Sequence, residues 1–249
     1  MNNIKMLIKM DKRNLLLISN STNAGEKYLD WCKSMIEDFC KENKVTDVLF
    51  VPYAGFAQGY DKYEEKVAKV YGEFGVKLHS IHREENPIKA VMESQCIAIG
   101  GGNTFYLVQQ MQQSGVMKAI AEKVMTGTPY MGWSAGSNVA GLSLKTTNDM
   151  PIVEPESFDT MALVPFQINP HYTDFVDPKH GGETRDDRIN EFIAANKEIY
   201  VAAIREATAL RLKDGKLSLI GRDNKMKVFH YGQQTKEYSL TDDINFLML

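Results

Sequence analysis

A chain of 249 residues with 43% hydrophobic and 24% charged side chains is long enough to bury one large core and has the make-up of an ordinary globular protein. Its 29 basic and 32 acidic residues leave a formal net charge of −3, which excludes the basic footprint of a nucleic-acid-binding protein. No apolar run approaches the roughly 20 residues that span a bilayer, so neither nucleic acid nor a membrane is an expected partner.

Residues 1–13 mix Lys with Met, Ile and Leu, too briefly and too brokenly for a signal peptide, and read as a flexible leader. From Asn14 the chain reads as a single α/β domain over 14–249. Asn14 to Ser19 is a continuous apolar run, as a parallel strand buried on both faces requires. Helical spacing over 24–42, through Tyr28, Leu29, Trp31, Cys32, Met35, Ile36, Phe39 and Cys40, predicts a helix. A strand at 48–51, a helix over 60–74, a strand at 76–81 and a short helix after Pro87 follow. The strand at 96–99 ends in Gly100-Gly101-Gly102, and helices over 104–113 and 115–125 lead to Pro129-Tyr130-Met131. This alternation predicts a mostly parallel sheet with helices on both faces.

Residues 150–180 lose the rhythm and carry five prolines, at 151, 155, 165, 170 and 178. They are expected to wrap over the C-terminal edge of the sheet, where open α/β sheets bind ligands. A helix near 184–195, strands near 199–204 and 208–212, and a hairpin turning at Asp214-Gly215 complete the chain. Cys32 and Cys40 lie eight residues apart on one predicted helix, about 12 Å along its axis, beyond the reach of a disulfide. With Cys96 read as a small buried hydrophobe, the cysteines point to a reducing, cytoplasmic setting.

Gly132-Trp133-Ser134-Ala135-Gly136 follows the strand at 129–131 and opens a helical segment. Two glycines around a serine let a strand turn sharply into a helix, exposing the hydroxyl beside free backbone N–H groups. A serine nucleophile needs both that exposure and a base. Of the five histidines, His79 and His82 flank a strand end and suit the surface, while His230 falls in the C-terminal hairpin. His171 follows Ile168-Asn169-Pro170, where a strand stops on the side the elbow opens; His180, in His180-Gly181-Gly182, is second. Two carboxylates compete to orient the base, Asp149 after the elbow and Glu206 after a strand. Gly101 or Gly102, with Ala135, offers oxyanion donors, and Asn103 or Thr104 can cap the next helix. The glycine turn lacks the spacing of a dinucleotide loop and the Lys of a P-loop, and no zinc-ligand spacing occurs.

Seven blocks in order carry a resemblance: Ser19-Asn20-Ser21-Thr22, Pro52-Tyr53-Ala54-Gly55, Gly100 to Thr104, Gly132 to Gly136, Thr147 to Val153, Ile168 to His171, and Gly182 to Arg185. From about Asn14 onward the chain resembles the S51 serine peptidases of the peptidase E type, the α-aspartyl dipeptidases. That resemblance implies a class I glutamine-amidotransferase-like α/β fold rather than the α/β-hydrolase fold. It also implies hydrolysis of dipeptides with N-terminal aspartate, without metal or cofactor. By motif position Ser134 would be the nucleophile and His171 the base. The third member has been placed at the positions of both Asp149 and Glu206. Glu206 is favoured because it stands at a strand end, with Asp149 then holding the substrate ammonium or its own loop. Arg185 would bind the aspartyl carboxylate, Arg188 being second, and Asn103 would also face the substrate. Rival expectations are a cyanophycinase-like or isoaspartyl peptidase on this fold, and a non-catalytic peptide-binding module.

Overall fold

The computed structural model describes residues 11–176, 179 and 181–249. The first ten residues of the expected leader and His180 lie outside the described residues. Within them, Arg13 pairs with Asp11 at 2.6 Å and donates to the Leu163 carbonyl at 2.6 Å.

The parallel strands follow from apolar runs too short for helices and too apolar for one wet face. They are β1 (Leu15–Ile18), β2 (Asp47–Val51), β3 (Lys77–Ser80), β4 (Ile97–Ile99) and β5 (Tyr130–Trp133). With the antiparallel pair β8 (Thr208–Lys213) and β9 (Lys216–Gly221) they form a seven-stranded sheet in the order β3-β2-β4-β5-β1-β8-β9. Side chains alternate across it. Leu15 and Leu17 pack under helices α4 (Thr104–Gln113) and α5 (Val116–Met125). Leu16 and Ile18 pack under α1 (Lys33–Glu42) and α2 (Tyr60–Gly72) on the other face. The expected mostly parallel α/β architecture is what the chain adopts. The β8–β9 hairpin turns at Asp214 and Gly215, both at positive φ (50° and 72°), as a tight two-residue hairpin prefers. A short helix, α3 (Pro87–Glu93), starts at the expected proline.

Three expectations need correction. The helix expected over 24–42 begins only at Lys33, after a 3-10 turn at Asp30–Cys32, because Leu29 takes a left-handed φ of 58°. Its helical spacing upstream reflects a core-filling loop, in which Leu29 is fully buried. The strand expected to stop at Pro170 instead runs through it as β6 (Gln167–Tyr172), with a register shift between Asn169 and Tyr172. Proline has no N–H for the ladder, so the strand bulges rather than ends. Finally, β6, β7 (Val201–Arg205), β10 (Met226–Phe229) and β11 (Lys236–Tyr238) form a second sheet, ordered β11-β10-β7-β6. His230 therefore follows β10 rather than lying in the β8–β9 hairpin. One face of the second sheet joins the α4–α5 core through Ile168, Ala202 and Ile204. The other is covered by a helix over Arg185–Ala195 through Ile189 and Ile193. A capping box at Thr184 and Asp187 starts that helix.

Cys32, Cys40 and Cys96 are free and buried, and burial pushes the Cys32 and Cys40 thiols up to about 12. No helix among the described residues is long and apolar enough to cross a membrane.

Candidate active site

Ser134 ends β5 and opens a one-turn helix, α6 (Ala135–Asn138), with φ 55° and ψ −113°. A left-handed, non-glycine residue of this kind stores strain and is found where the surroundings over-determine it. The surroundings here are backbone. The Ser134 N–H bonds the Ile18 carbonyl at 3.0 Å, and its carbonyl accepts from Ser137 and Asn138. The flanking glycines allow the turn to close: a Cβ on Gly132 would lie 2.3 Å from the Gly136 carbonyl oxygen, and one on Gly136 would lie 2.1 Å from that of Ile99.

The Ser134 hydroxyl is 3.0 Å from His171 Nε2, and His171 Nδ1 is 2.9 Å from Glu206 Oε1. The two sheets thus bring together residues 37 and 35 positions apart in sequence. His171 sits at φ 53°, on the bulge of β6, and Glu206 precedes Ala207 at φ 61°. Two side chains at the end of β1 pin both bends. The Ser19 hydroxyl accepts from the His171 N–H at 2.9 Å and donates to the Ile204 carbonyl at 2.9 Å. Asn20 Oδ1 accepts from the Ala207 N–H at 2.9 Å. Both side chains are fully buried. The Ser19-Asn20 block is visible in the sequence, but its part in placing His171 and Glu206 is not, since those partners are tertiary.

Asp149 lies elsewhere. Its Oδ2 accepts from the Thr104 N–H at 2.7 Å, the Thr104 hydroxyl at 2.6 Å and the Thr147 hydroxyl at 3.1 Å. It fastens its loop to the N-terminus of α4, where a carboxylate is favoured, and makes no hydrogen bond to His171. Asn103, expected at the substrate, caps the same helix by accepting from the Tyr106 N–H at 3.0 Å and donates to the Met150 carbonyl at 2.9 Å. Its amide is committed to structure.

Gly101 lies against the elbow: a Cβ there would sit 2.8 Å from Ser134 Cβ. The N–H groups of Gly101, Gly102 and Ala135 make no hydrogen bond among the described residues. They are free to meet a developing oxyanion.

A cavity of about 530 Å³ is lined by His171, Thr173, Phe175, Arg205, Glu206 and Asn224, among others. A second, of about 180 Å³, shares Thr173 and Phe175 with it and is lined by Arg185 and Arg188. Arg188 leans toward Glu183 at 3.7 Å. The Arg185 side chain makes no hydrogen bond or ion pair among the described residues, and burial, with Arg188 adding repulsion, depresses its pKa. A half-buried guanidinium that pairs with none of the described residues is a ready site for a carboxylate. Among the described residues, one group has metal-ligand proximity, Asp61, Glu64 and His82. The Arg83 guanidinium already occupies it, 2.7 Å from Asp61 and 2.5 Å from Glu64.

Behind His171, Asp174 accepts from Tyr172 at 2.9 Å and pairs with Arg205 at 2.5 Å and Lys227 at 2.6 Å. Partial burial opposes its ionisation, but Lys227 and Arg205 outweigh it and hold the carboxyl at about 2, against an ordinary 3.8. A carboxylate whose folded pKa is depressed adds stability above its unfolded pKa and loses it as pH falls through the folded one. The Tm difference between wild type and Asp174→Asn is therefore expected to be greatest above about pH 4 and to shrink toward pH 2. Thermal melts of both proteins from pH 2 to 6 check this; a constant difference across that window refutes it.

Comparison with known proteins identifies the family. The model of peptidase family S51 matches residues 15–220. A protein named peptidase E from Nostoc sp. is 44% identical over 239 residues, covering 96% of this chain and 98% of its own. One from Pasteurella multocida, also named peptidase E, is 43% identical over 210 residues, 84% of this chain and 90% of its own. Among solved structures, a peptidase from an acI-B1 actinobacterium superposes with a TM-score of 0.68 at 14% identity, covering 95% of this chain and 98% of its own. A serine between two glycines, hydrogen-bonded to a histidine on the second sheet, is thus found in a chain that aligns almost end to end with curated peptidases: the protein is a hydrolase and belongs to serine peptidase family S51.

Proposed function

We propose that this chain hydrolyses dipeptides with N-terminal aspartate through an acyl-enzyme on Ser134. The observation that carries the reading is the hydrogen-bonded line Ser134–His171–Glu206, in which His171 and Glu206 line a cavity adjoining that of Arg185, a guanidinium unpaired among the described residues. His171 Nε2 takes the Ser134 proton as Oγ attacks the aspartyl carbonyl carbon. Ala135 and the Gly101–Gly102 turn hold the oxygen that becomes negative. Collapse breaks the C–N bond, and His171 gives its proton to the departing amine. Water, deprotonated by His171, then cleaves the ester, returning the proton to Ser134 and releasing aspartate. Glu206 accepts from His171 Nδ1 throughout and stabilises the imidazolium. Asp149 holds the 148–150 loop against α4.

Arg185 reads the substrate's side-chain carboxylate in this scheme. Initial rates on Asp-Leu, Asn-Leu, Glu-Leu and β-Asp-Leu test it, with Arg185→Met beside the wild type. Wild type is expected to cleave Asp-Leu best. Losing a charge-assisted pair should raise KM for Asp-Leu about 10- to 100-fold in Arg185→Met, with a far smaller change in kcat. The preference for Asp-Leu over Asn-Leu should collapse with it. Unchanged discrimination would remove Arg185 from the role, and preferential cleavage of β-Asp-Leu would place the activity among isoaspartyl peptidases.

A further inference from the structure

Tyr63, on α2, carries a hydroxyl that is fully used and almost fully buried. The residue is 2% exposed. Its hydroxyl donates to the Gly101 carbonyl at 3.0 Å, and accepts from the Trp133 indole N–H at 3.0 Å and from the Tyr28 hydroxyl at 3.1 Å. One proton and two lone pairs are all that a phenol has. Burial pushes its pKa up to about 12, so it stays a donor across the range in which such an enzyme works.

The three partners are not equivalent. Tyr28 belongs to the loop before α1, whereas Trp133 immediately precedes Ser134. Gly101 is in the turn that lies against Ser134. The glycine turn is shaped to rest on this hydroxyl: a Cβ on Gly100 would fall 2.4 Å from the Tyr63 oxygen, and one on Gly101 would fall 2.8 Å from Ser134 Cβ. The backbone here is thus held between Tyr63 on one side and Ser134 on the other.

Peptide geometry turns this contact into a function. The Gly101 carbonyl and the Gly102 N–H belong to one planar trans unit and point in opposite directions. A hydroxyl that fixes the carbonyl therefore also fixes the N–H, which makes no hydrogen bond among the described residues. In a run of three glycines no side chain resists rotation of that unit. We propose that Tyr63 is the positioning residue of the oxyanion site, holding the Gly101–Gly102 peptide so that the Gly102 N–H stays aimed at the Ser134 side. Through Trp133 the same hydroxyl ties that peptide to the elbow, so donor and nucleophile keep one spacing. The role rests on the reading of Ser134 as nucleophile.

Tyr63→Phe keeps the ring and removes only the hydroxyl. A misaimed oxyanion donor should lower kcat for Asp-Leu about 10- to 100-fold, less than deletion of a donor, with KM within about threefold. Inactivation of Ser134 by diisopropyl fluorophosphate should slow by a similar factor, because its phosphoryl oxygen takes the same donors. Tyr28→Phe cuts the same hub on the side away from the glycine turn. It should cost comparable Tm while kcat stays within about threefold. The double variant Tyr28→Phe/Tyr63→Phe, which loses both hydroxyls, should match Tyr63→Phe in kcat and guards against a single variant too unstable to assay. Tyr63→Phe at near wild-type kcat and inactivation rate would overturn the proposal, as would an equal loss in Tyr28→Phe. Wild-type protein that neither cleaves Asp-Leu nor is modified at Ser134 would overturn the nucleophile reading, and the role of Tyr63 with it.

Discussion

Exchanging Ser134 for alanine is expected to lower kcat for Asp-Leu by about 10⁴-fold or more, while the protein stays folded. The two halves of that expectation have separate causes. Among the described residues the hydroxyl makes a single hydrogen bond, to His171 Nε2, so its removal takes away the nucleophile and little else. The backbone bonds that hold the elbow, to Ile18, Ser137 and Asn138, do not involve it. Alanine inherits the φ of 55° and so keeps the strain that serine carries there. Glycine would not: Ser134→Gly should be equally inactive and, by relieving about 1–2 kcal/mol of left-handed strain, at least as stable as Ser134→Ala. Initial rates at matched protein concentration and thermal melts of the three proteins check this. Residual turnover within about tenfold of wild type would exclude Ser134 as the nucleophile.

That strain is the part of the site least visible in the sequence. Ser134, His171 and Ala207, the residue after Glu206, all take left-handed φ values, of 55°, 53° and 61°. No residue type among Ser, His and Ala signals such a backbone. The parallel strands are legible because burial on both faces demands unbroken apolar runs such as Leu15–Ile18. The elbow is legible because two close backbone approaches demand glycine at 132 and 136. The second sheet is legible only in part, for opposite reasons: β7 falls at the strand expected near 199–204. Its last two strands are short, β10 covering four residues and β11 three, and β11 is largely exposed, so no apolar run marks them. Pro170 reads as an end when it is a bulge. Tyr28, Leu29 and Trp31 read as helix because a buried loop can place apolar residues at helical spacing without forming one. The roles of Ser19 and Asn20 depend on partners more than 150 residues away, which no local pattern encodes.

The same limit left Asp149 and Glu206 as competitors, and their environments now predict different defects. Glu206 Oε1 stands 2.9 Å from His171 Nδ1, where a carboxylate fixes the tautomer and stabilises the imidazolium. Glutamine preserves the shape and removes the charge. Its side chain is 53% exposed, so water screens part of the effect. Glu206→Gln is therefore expected to lower kcat about 10²- to 10³-fold, below the loss seen for a fully buried triad carboxylate. Its Tm should barely move, since an exposed pair adds little stability. Asp149→Asn should do the reverse. Asp149 Oδ2 gathers three donors, from Thr104 and Thr147, at the start of α4. Losing its charge weakens a helix N-terminus by about 1–2 kcal/mol. Its kcat should fall by less than about tenfold, through slackening of the 148–150 loop rather than through proton transfer. Steady-state kinetics and melts of both variants separate the roles. A kcat for Asp149→Asn far below that for Glu206→Gln would mean that Asp149 serves the histidine in a rearranged, substrate-bound state. The assignment would then pass to it, because a charge that acts only on the folded scaffold cannot depress kcat more than one bonded to the base.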